Sequence, residues 1–217
     1  MGRRREHDDT TRAALLAAAE RIIEANGAEA ASVRAVAEAI DTTTRAVYSV
    51  FGSKDGMLEA LAIGLFELLS EAIDACVSTD DPVEDIVTIS VDGFRRTALE
   101  HPAMYGLVFL RLVPGLRLGD EFAEVSAGAF GRLRSHLARL DASGGLGVMS
   151  DLDAAHSVHA LTEGLATMEL RGMLSGTDDA EMIWRNAIAA LVRGFATTKP
   201  QSPIRRVKRP QSRRPRI

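Results

Sequence analysis

Cysteine is almost absent: Cys76 is the only one in 217 residues. This excludes an internal disulfide framework and any zinc site built on several cysteines. Aromatic residues make up 5% of the chain, and strict polar–apolar alternation is rare, so the sequence does not read as an all-β fold. Neither a phosphate-loop glycine motif nor a nucleophile elbow is present, and five histidines form no interpretable triad with a nucleophile. An enzyme is therefore not expected, and no cofactor is implied. No run is apolar and long enough to span a bilayer, and no apolar signal core follows Arg3, Arg4 and Arg5. The expectation is a soluble cytoplasmic protein with no membrane partner.

What is present is a chain able to fold. Hydrophobic residues are 46% and charged residues 26%, enough apolar content for a core in one or two domains. The net charge of -4 hides an uneven distribution. Residues 1–60 carry 8 basic and 10 acidic side chains, residues 61–198 carry 10 and 20, and residues 199–217 carry 8 and none. The middle should repel DNA on average, whereas Arg3–Arg5 and the proline-rich basic tail can attract phosphate locally. The tail, 199–217, has almost no large apolar residue and is expected to be disordered, either a nonspecific phosphate binder or a solvated extension.

Helical periodicity runs through the rest. Leu15, Ala18, Ala19, Ile22 and Ile23 form one stripe ending at Asn26 and Gly27. Ser32 can cap a short helix to Ile40, Thr43 another to about Val50, and Ser53 a long one over 54–77. Further helices are predicted over 82–100, about 120–141, 151–171 and 178–197, with an apolar stretch from Met104 to Leu112 between the first two. Two short helices separated by a tight turn suggest a helix-turn-helix, though small helical cores share the pattern. Val36 and Ala37 can pack on Val47, with Tyr48 and Phe51 anchoring the far side of the third helix.

The stretch 31–61, ASVRAVAEAIDTTTRAVYSVFGSKDGMLEAL, carries a resemblance. A recognition helix ends in Tyr48-x-x-Phe51, followed by Ser53, Lys54 and Asp55, and this order resembles the TetR family of transcriptional regulators. The turn departs from the family's usual Ala-Gly-Val, reading Ile40, Asp41 and Thr42. Asp41 can stand in for glycine if it adopts the left-handed geometry. The C-terminal region resembles the family's regulatory domains more loosely, with Glu163 before Gly164 where a subclass carries His-Gly.

The resemblance implies an all-α protein with a DNA-binding head over 1–52 and a ligand-binding and dimerisation domain over 53–198. It implies a homodimeric repressor of double-stranded, palindromic operator DNA, released by a small hydrophobic effector. An activator, a ligand-independent regulator and a helical interaction module are the alternatives. Arg45 can pair with guanine, Thr43 and Thr44 with a base edge or phosphate, and Ser32, Tyr48 and Lys54 with phosphate. Each has a plain reading too: Thr43 as an N-cap, Arg45 as a phosphate contact, Tyr48 as core.

Phe94, Met104, Tyr105, Leu107, Val108, Phe109, Phe122 and Phe130 are candidate lining of an effector pocket, with ordinary core packing as the alternative. Val158, Leu161, Leu165 and Met168, then Ile183, Trp184, Ala187 and Leu191, form stripes for a four-helix interface between two subunits; burial within one monomer is the alternative. His156, His159 and Glu163 share a helix face and can in principle hold a metal, but an interface or polar surface is the expected reading, so no metal is assigned.

Overall fold

The computed structural model describes the backbone of residues 2–174 and 179–196, and the side chains of 10–174 and 179–196. The basic tail, Gly176 and the side chains of Arg3, Arg4 and Arg5 lie outside the described residues. The described residues are helical, in the order α1 (Gly2–Asn26), α2 (Val33–Ala39), α3 (Thr44–Phe51), α4 (Lys54–Ala75), α5 (Pro82–Thr88), a π-helical segment (Ile89–Arg95), α6 (Arg96–Glu100), α7 (Pro102–Val108), α8 (Asp120–Ala142), α9 (Asp151–Leu170) and α10 (Ala180–Phe195).

Helix starts follow from short polar side chains that accept otherwise unpaired backbone N–H groups. Ser32 Oγ accepts from Ala35 N at 3.1 Å, Thr43 Oγ1 from Ala46 N at 3.2 Å and Ser53 Oγ from Gly56 N at 2.9 Å. Asp81, Ser150 and Asp179 cap α5, α9 and α10 in the same way. The turn between α2 and α3 closes without glycine: Asp41 sits at φ 52°, and Thr42 N donates to Ala37 O at 2.9 Å. Aspartate tolerates the left-handed region better than most residues, so the unusual turn sequence still delivers α3.

Two apolar clusters organise the molecule. The first joins Leu15, Ala18 and Ala19 of α1, Val36 and Ala37 of α2, and Val47 of α3 to Met57, Leu58 and Leu61 of α4. It extends to Ala103, Met104 and Leu107 of α7. The second gathers Ile86, Val87 and Val91, then Tyr105, Leu137, Val158, Leu165, Trp184 and Ile188. Thus α7 contributes to both clusters, one face of it in the head and Tyr105 in the regulatory part.

Some expectations are corrected. Tyr48 is 53% exposed and does not anchor α3; Val47 is the buried residue there. Residues 82–100 are not one regular α-helix, because a π-helical stretch occupies the middle. Val158, Leu165 and Trp184 are buried within a single chain, so they are core residues and not surface available to a second subunit. Trp184 Nε1 donates to Glu169 Oε2 at 2.8 Å, and that carboxylate also receives two hydrogen bonds from Arg95.

Candidate DNA interface and ligand cavity

Three consecutive helices, α2, α3 and α4, open on hydroxyl caps. Ser32, Thr43 and Ser53 are exposed, and each uses an oxygen lone pair to accept from its helix, leaving its O–H free to donate. Thr44 and Arg45 are exposed on the first turn of α3. Among the described residues no ion pair engages Arg45, whereas Arg34 on α2 is paired with Glu38 at 2.7 Å. Lys54 is the first residue of α4, where free backbone N–H groups favour an anion. The exposed Tyr48 phenol leaves a hydroxyl able to reach phosphate. All six sequence-assigned residues therefore lie at helix starts or on the exposed side of α3.

A cavity of about 180 Å³ lies in the regulatory part. Phe66, Leu69 and Ile73 of α4 form one wall, Ser126, Ala129, Phe130 and Leu133 of α8 a second, and Phe94 and His159 the remainder. Of the sequence candidates, only Phe94 and Phe130 line it. Phe109 stands behind, with its ring 5.9 Å from both Phe94 and His159. Tyr105 is buried deeper, 4.8 Å from Phe109, and its hydroxyl donates to Glu163 O and pairs with Thr167, each at 2.9 Å. Burial pushes that phenol up despite the Thr167 bond, so it stays neutral.

Met104 belongs to the head cluster. Leu107, Val108 and Phe122 line a separate, open groove that also holds Arg111 and Arg117. The Phe66 and Phe122 rings, 5.4 Å apart and edge-to-face, lie between groove and cavity.

Sequence reasoning missed the α4 wall, the small α8 residues and His159. The signal was available: 66, 69 and 73, like 126, 129, 130 and 133, recur at helical spacing. It is the same signal that ordinary core residues give. His159 is partly buried among Phe94, Phe109 and Phe130. Burial lowers its pKa, with Glu163 opposing and His156 reinforcing. His159 Nε2 is 3.9 Å from Glu163, His156 stacks on Phe130 at 4.8 Å, and among the described residues no group of three or more ligating side chains is placed for a metal.

A polar link joins the regulatory part to the head. His101 Nδ1, at the start of α7, lies 2.8 Å from Glu20 Oε1 on α1.

Residues 15–61 match the family described as bacterial regulatory proteins, tetR family, and residues 88–191 match the tetracyclin repressor-like C-terminal domain. The chain belongs to the TetR family. As a TetR-family member it is a DNA-binding regulator of gene expression and not an enzyme. The HTH-type transcriptional regulator Rv1816 of Mycobacterium tuberculosis is 26% identical over 158 residues, which span 70% of this chain and 66% of that regulator. The match thus leaves about a third of the relative's length uncovered. A protein of unknown function from Rhodococcus sp. RHA1 has the same fold, with a TM-score of 0.74 at 23% identity, covering 85% of this chain and 95% of that one. RolR in complex with resorcinol gives 0.58 at 21% identity, covering 91% and 98%. These two likenesses are of the TetR fold. Among the described residues no helix is long and apolar enough to cross a membrane.

Proposed function

We propose that the protein is a homodimeric repressor of a palindromic operator, released when a small apolar effector occupies the cavity walled by α4, α8 and α9. The head, 1–52, would read DNA, and 53–198 would bind effector and partner. The observation that carries this reading is the double role of α7. Its Met104 and Leu107 sit in the head core, while Tyr105 and Phe109 abut the rings that line the cavity. A ligand that spreads Phe94, Phe130 and His159 pushes on Phe109, and through α7 on α1 and α4. Release then requires the ligand to bind the non-reading conformation better, since only that difference shifts the equilibrium.

The DNA roles are those of the exposed caps and of Arg45. Ser32, Thr43, Tyr48 and Lys54 hold phosphate, Thr44 touches phosphate or a base edge, and Arg45 reads guanine O6 and N7. A two-fold dimer places two α3 helices about 34 Å apart, which matches two half-sites one helical turn apart. Support for the dimer comes from apolar surface left outward on the last two helices. Met168 and Met182 are exposed, and Leu161, Ile183, Ala187 and Leu191 are half-buried. RolR, solved with resorcinol, supports a small molecule as the class of effector.

The test is binding to DNA from the protein's own upstream region and to a library of genomic fragments, across a salt series with scrambled DNA as control. Selective binding to a palindrome with a steep salt slope is expected. Weak, equal binding to every fragment would overturn the reading. So would a protein that stays monomeric on its selected site.

A further inference from the structure

The effector cavity has a particular chemistry. Its surface is aromatic and aliphatic except at Ser126 and His159. Ser126 Oγ already donates to Ala123 O at 3.1 Å. His159 is different. Among the described residues no hydrogen bond reaches either nitrogen of its ring, and its nearest charged neighbour, Glu163, is 3.9 Å away, beyond hydrogen-bonding distance. Its side chain is 32% exposed and lines the cavity, so a ligand there can meet the free ring nitrogens.

Size narrows the class. A cavity of about 150 Å³ holds one benzene ring, and this one is about 180 Å³. It therefore admits a single six-membered ring with a small substituent. Shape and charge narrow it again. Phe66, Phe94 and Phe130 offer ring faces and edges that favour another aromatic ring. Among the described residues no lysine or arginine lines the cavity, so a carboxylate facing the neutral imidazole would enter without a counter-charge, at a desolvation cost.

We propose that the effector is an uncharged single-ring phenol, held among Phe66, Phe94 and Phe130 with its hydroxyl hydrogen-bonded to the imidazole of His159. The proposal rests on the reading of this cavity as the effector site. A neutral imidazole offers one donor and one acceptor, so it can serve the hydroxyl in either sense. His159 is then the residue that distinguishes phenols from plain arenes.

The experiment uses the full-length chain, free and on its selected operator DNA. Phenol, 4-ethylphenol, toluene, benzoate and 4-phenylphenol are titrated by calorimetry, and DNA release is followed in parallel. Phenol and 4-ethylphenol should bind about tenfold tighter than toluene, the worth of one hydrogen bond in such a site. Benzoate and the two-ring phenol should not compete. In protein labelled with 15N at histidine, phenol should shift the ring nitrogens of one histidine that toluene leaves unmoved, a readout on the unaltered chain. His159→Leu, close in volume, should bring phenol down to the affinity of toluene.

Toluene binding as tightly as phenol, preferred binding of benzoate, no binding of any probe, or a preference that survives His159→Leu would each overturn the proposal. A preference lost in Ser126→Ala but kept in His159→Leu would do so as well. The two readings separate cleanly. Phenol bound through His159 with DNA still held defeats the effector reading but not the ligand class. DNA released equally by phenol and toluene defeats the phenol and leaves the effector reading standing.

Discussion

Arg45 and Lys54 carry the same charge in two different settings. Arg45 projects from the first turn of α3 with no ion pair among the described residues, whereas Lys54 opens α4 beside its free N–H groups. A guanidinium can match guanine O6 and N7; an ammonium at a helix start holds phosphate as a point charge. Arg45→Ala should cost about 1–3 kcal/mol on the best operator and much less on variants changed at its guanine. Lys54→Ala should weaken all sites about equally and flatten the salt slope by about one unit. Competition binding over an operator library at several salt concentrations separates the two, and equal losses on every sequence for Arg45→Ala would remove its base-reading role.

Inside the protein, Glu169 ties two helices and the π-helical segment together. It accepts from Arg95 at 2.7 and 3.0 Å and from Trp184 Nε1 at 2.8 Å, with side-chain exposures of 19% for Arg95 and 14% for Glu169. Glu169→Ala leaves the indole N–H unpaired and the mostly buried guanidinium with only its 3.8 Å ion pair to Glu181, which should destabilise the fold by about 2 kcal/mol. Urea unfolding checks it, and an unchanged midpoint would mean the network contributes nothing.

Between elements, the junction of α3 and α4 is tightly packed. Gly52 ends α3 at φ 73°, and a Cβ at Gly56, in the first turn of α4, would overlap the carbonyl oxygen of Phe51. The obstacle is backbone, which cannot swing aside. Gly56→Ala should therefore cost about 1–3 kcal/mol of stability and tilt α3, lowering DNA affinity more than the stability loss accounts for. Wild-type stability and affinity in that variant would show the junction to be loose.

This junction was legible in the sequence because each helix there announces itself locally. Ser32, Thr43 and Ser53 are caps, and Asn26, Gly27 and Gly52 are stops. The π-helical stretch was not legible, since Ile89–Arg95 holds only a lone glycine, Gly93, which a helix tolerates, and its register is set by what it packs against. The cavity was half legible for a related reason. Phe94 and Phe130 stood out by size, but nothing in a 3.6-residue period distinguishes Leu69 or Ala129 facing a void from the same residues facing a neighbour. The interface stripes were half legible for the same reason: Trp184 and Leu191 lie on one helix, and only the packing shows that Trp184 turns inward while Leu191 stays half-buried.

Across the whole molecule, acid should act through two partly buried histidines before it reaches the carboxylates. His159 borders the cavity. His136 lies on α8 with Nδ1 buried and without a hydrogen-bond partner among the described residues. Burial is the leading cause that lowers both; at His136 Arg139 adds to it while Asp85 and Asp74 oppose it. A lowered histidine value means that the folded chain resists protons the unfolded chain accepts. Above the ordinary value of 6.5 both forms are neutral and the effect vanishes; as the pH falls through it, unfolding is favoured.

Asp85 responds in a separate, more acidic window. Burial would raise its carboxyl, but hydrogen bonds from Thr79 and Arg139 outweigh that and hold it low. Its contribution is present above the ordinary 3.8 and lost only as the pH drops through the lower folded value. Urea unfolding at fixed protein concentration, from about pH 8 to about pH 5, should thus show flat stability and then a decline beginning near neutrality. His159→Leu should remove part of that decline and leave the part that belongs to His136. A ligand that needs the neutral imidazole should raise stability and depress the folded ring's value further, so the decline begins at the same pH, set by the unfolded chain, and runs on to lower pH. Stability that stays level to pH 5 would mean both rings find protons as easily in the folded chain as in the unfolded one, and the cavity would then be open to water.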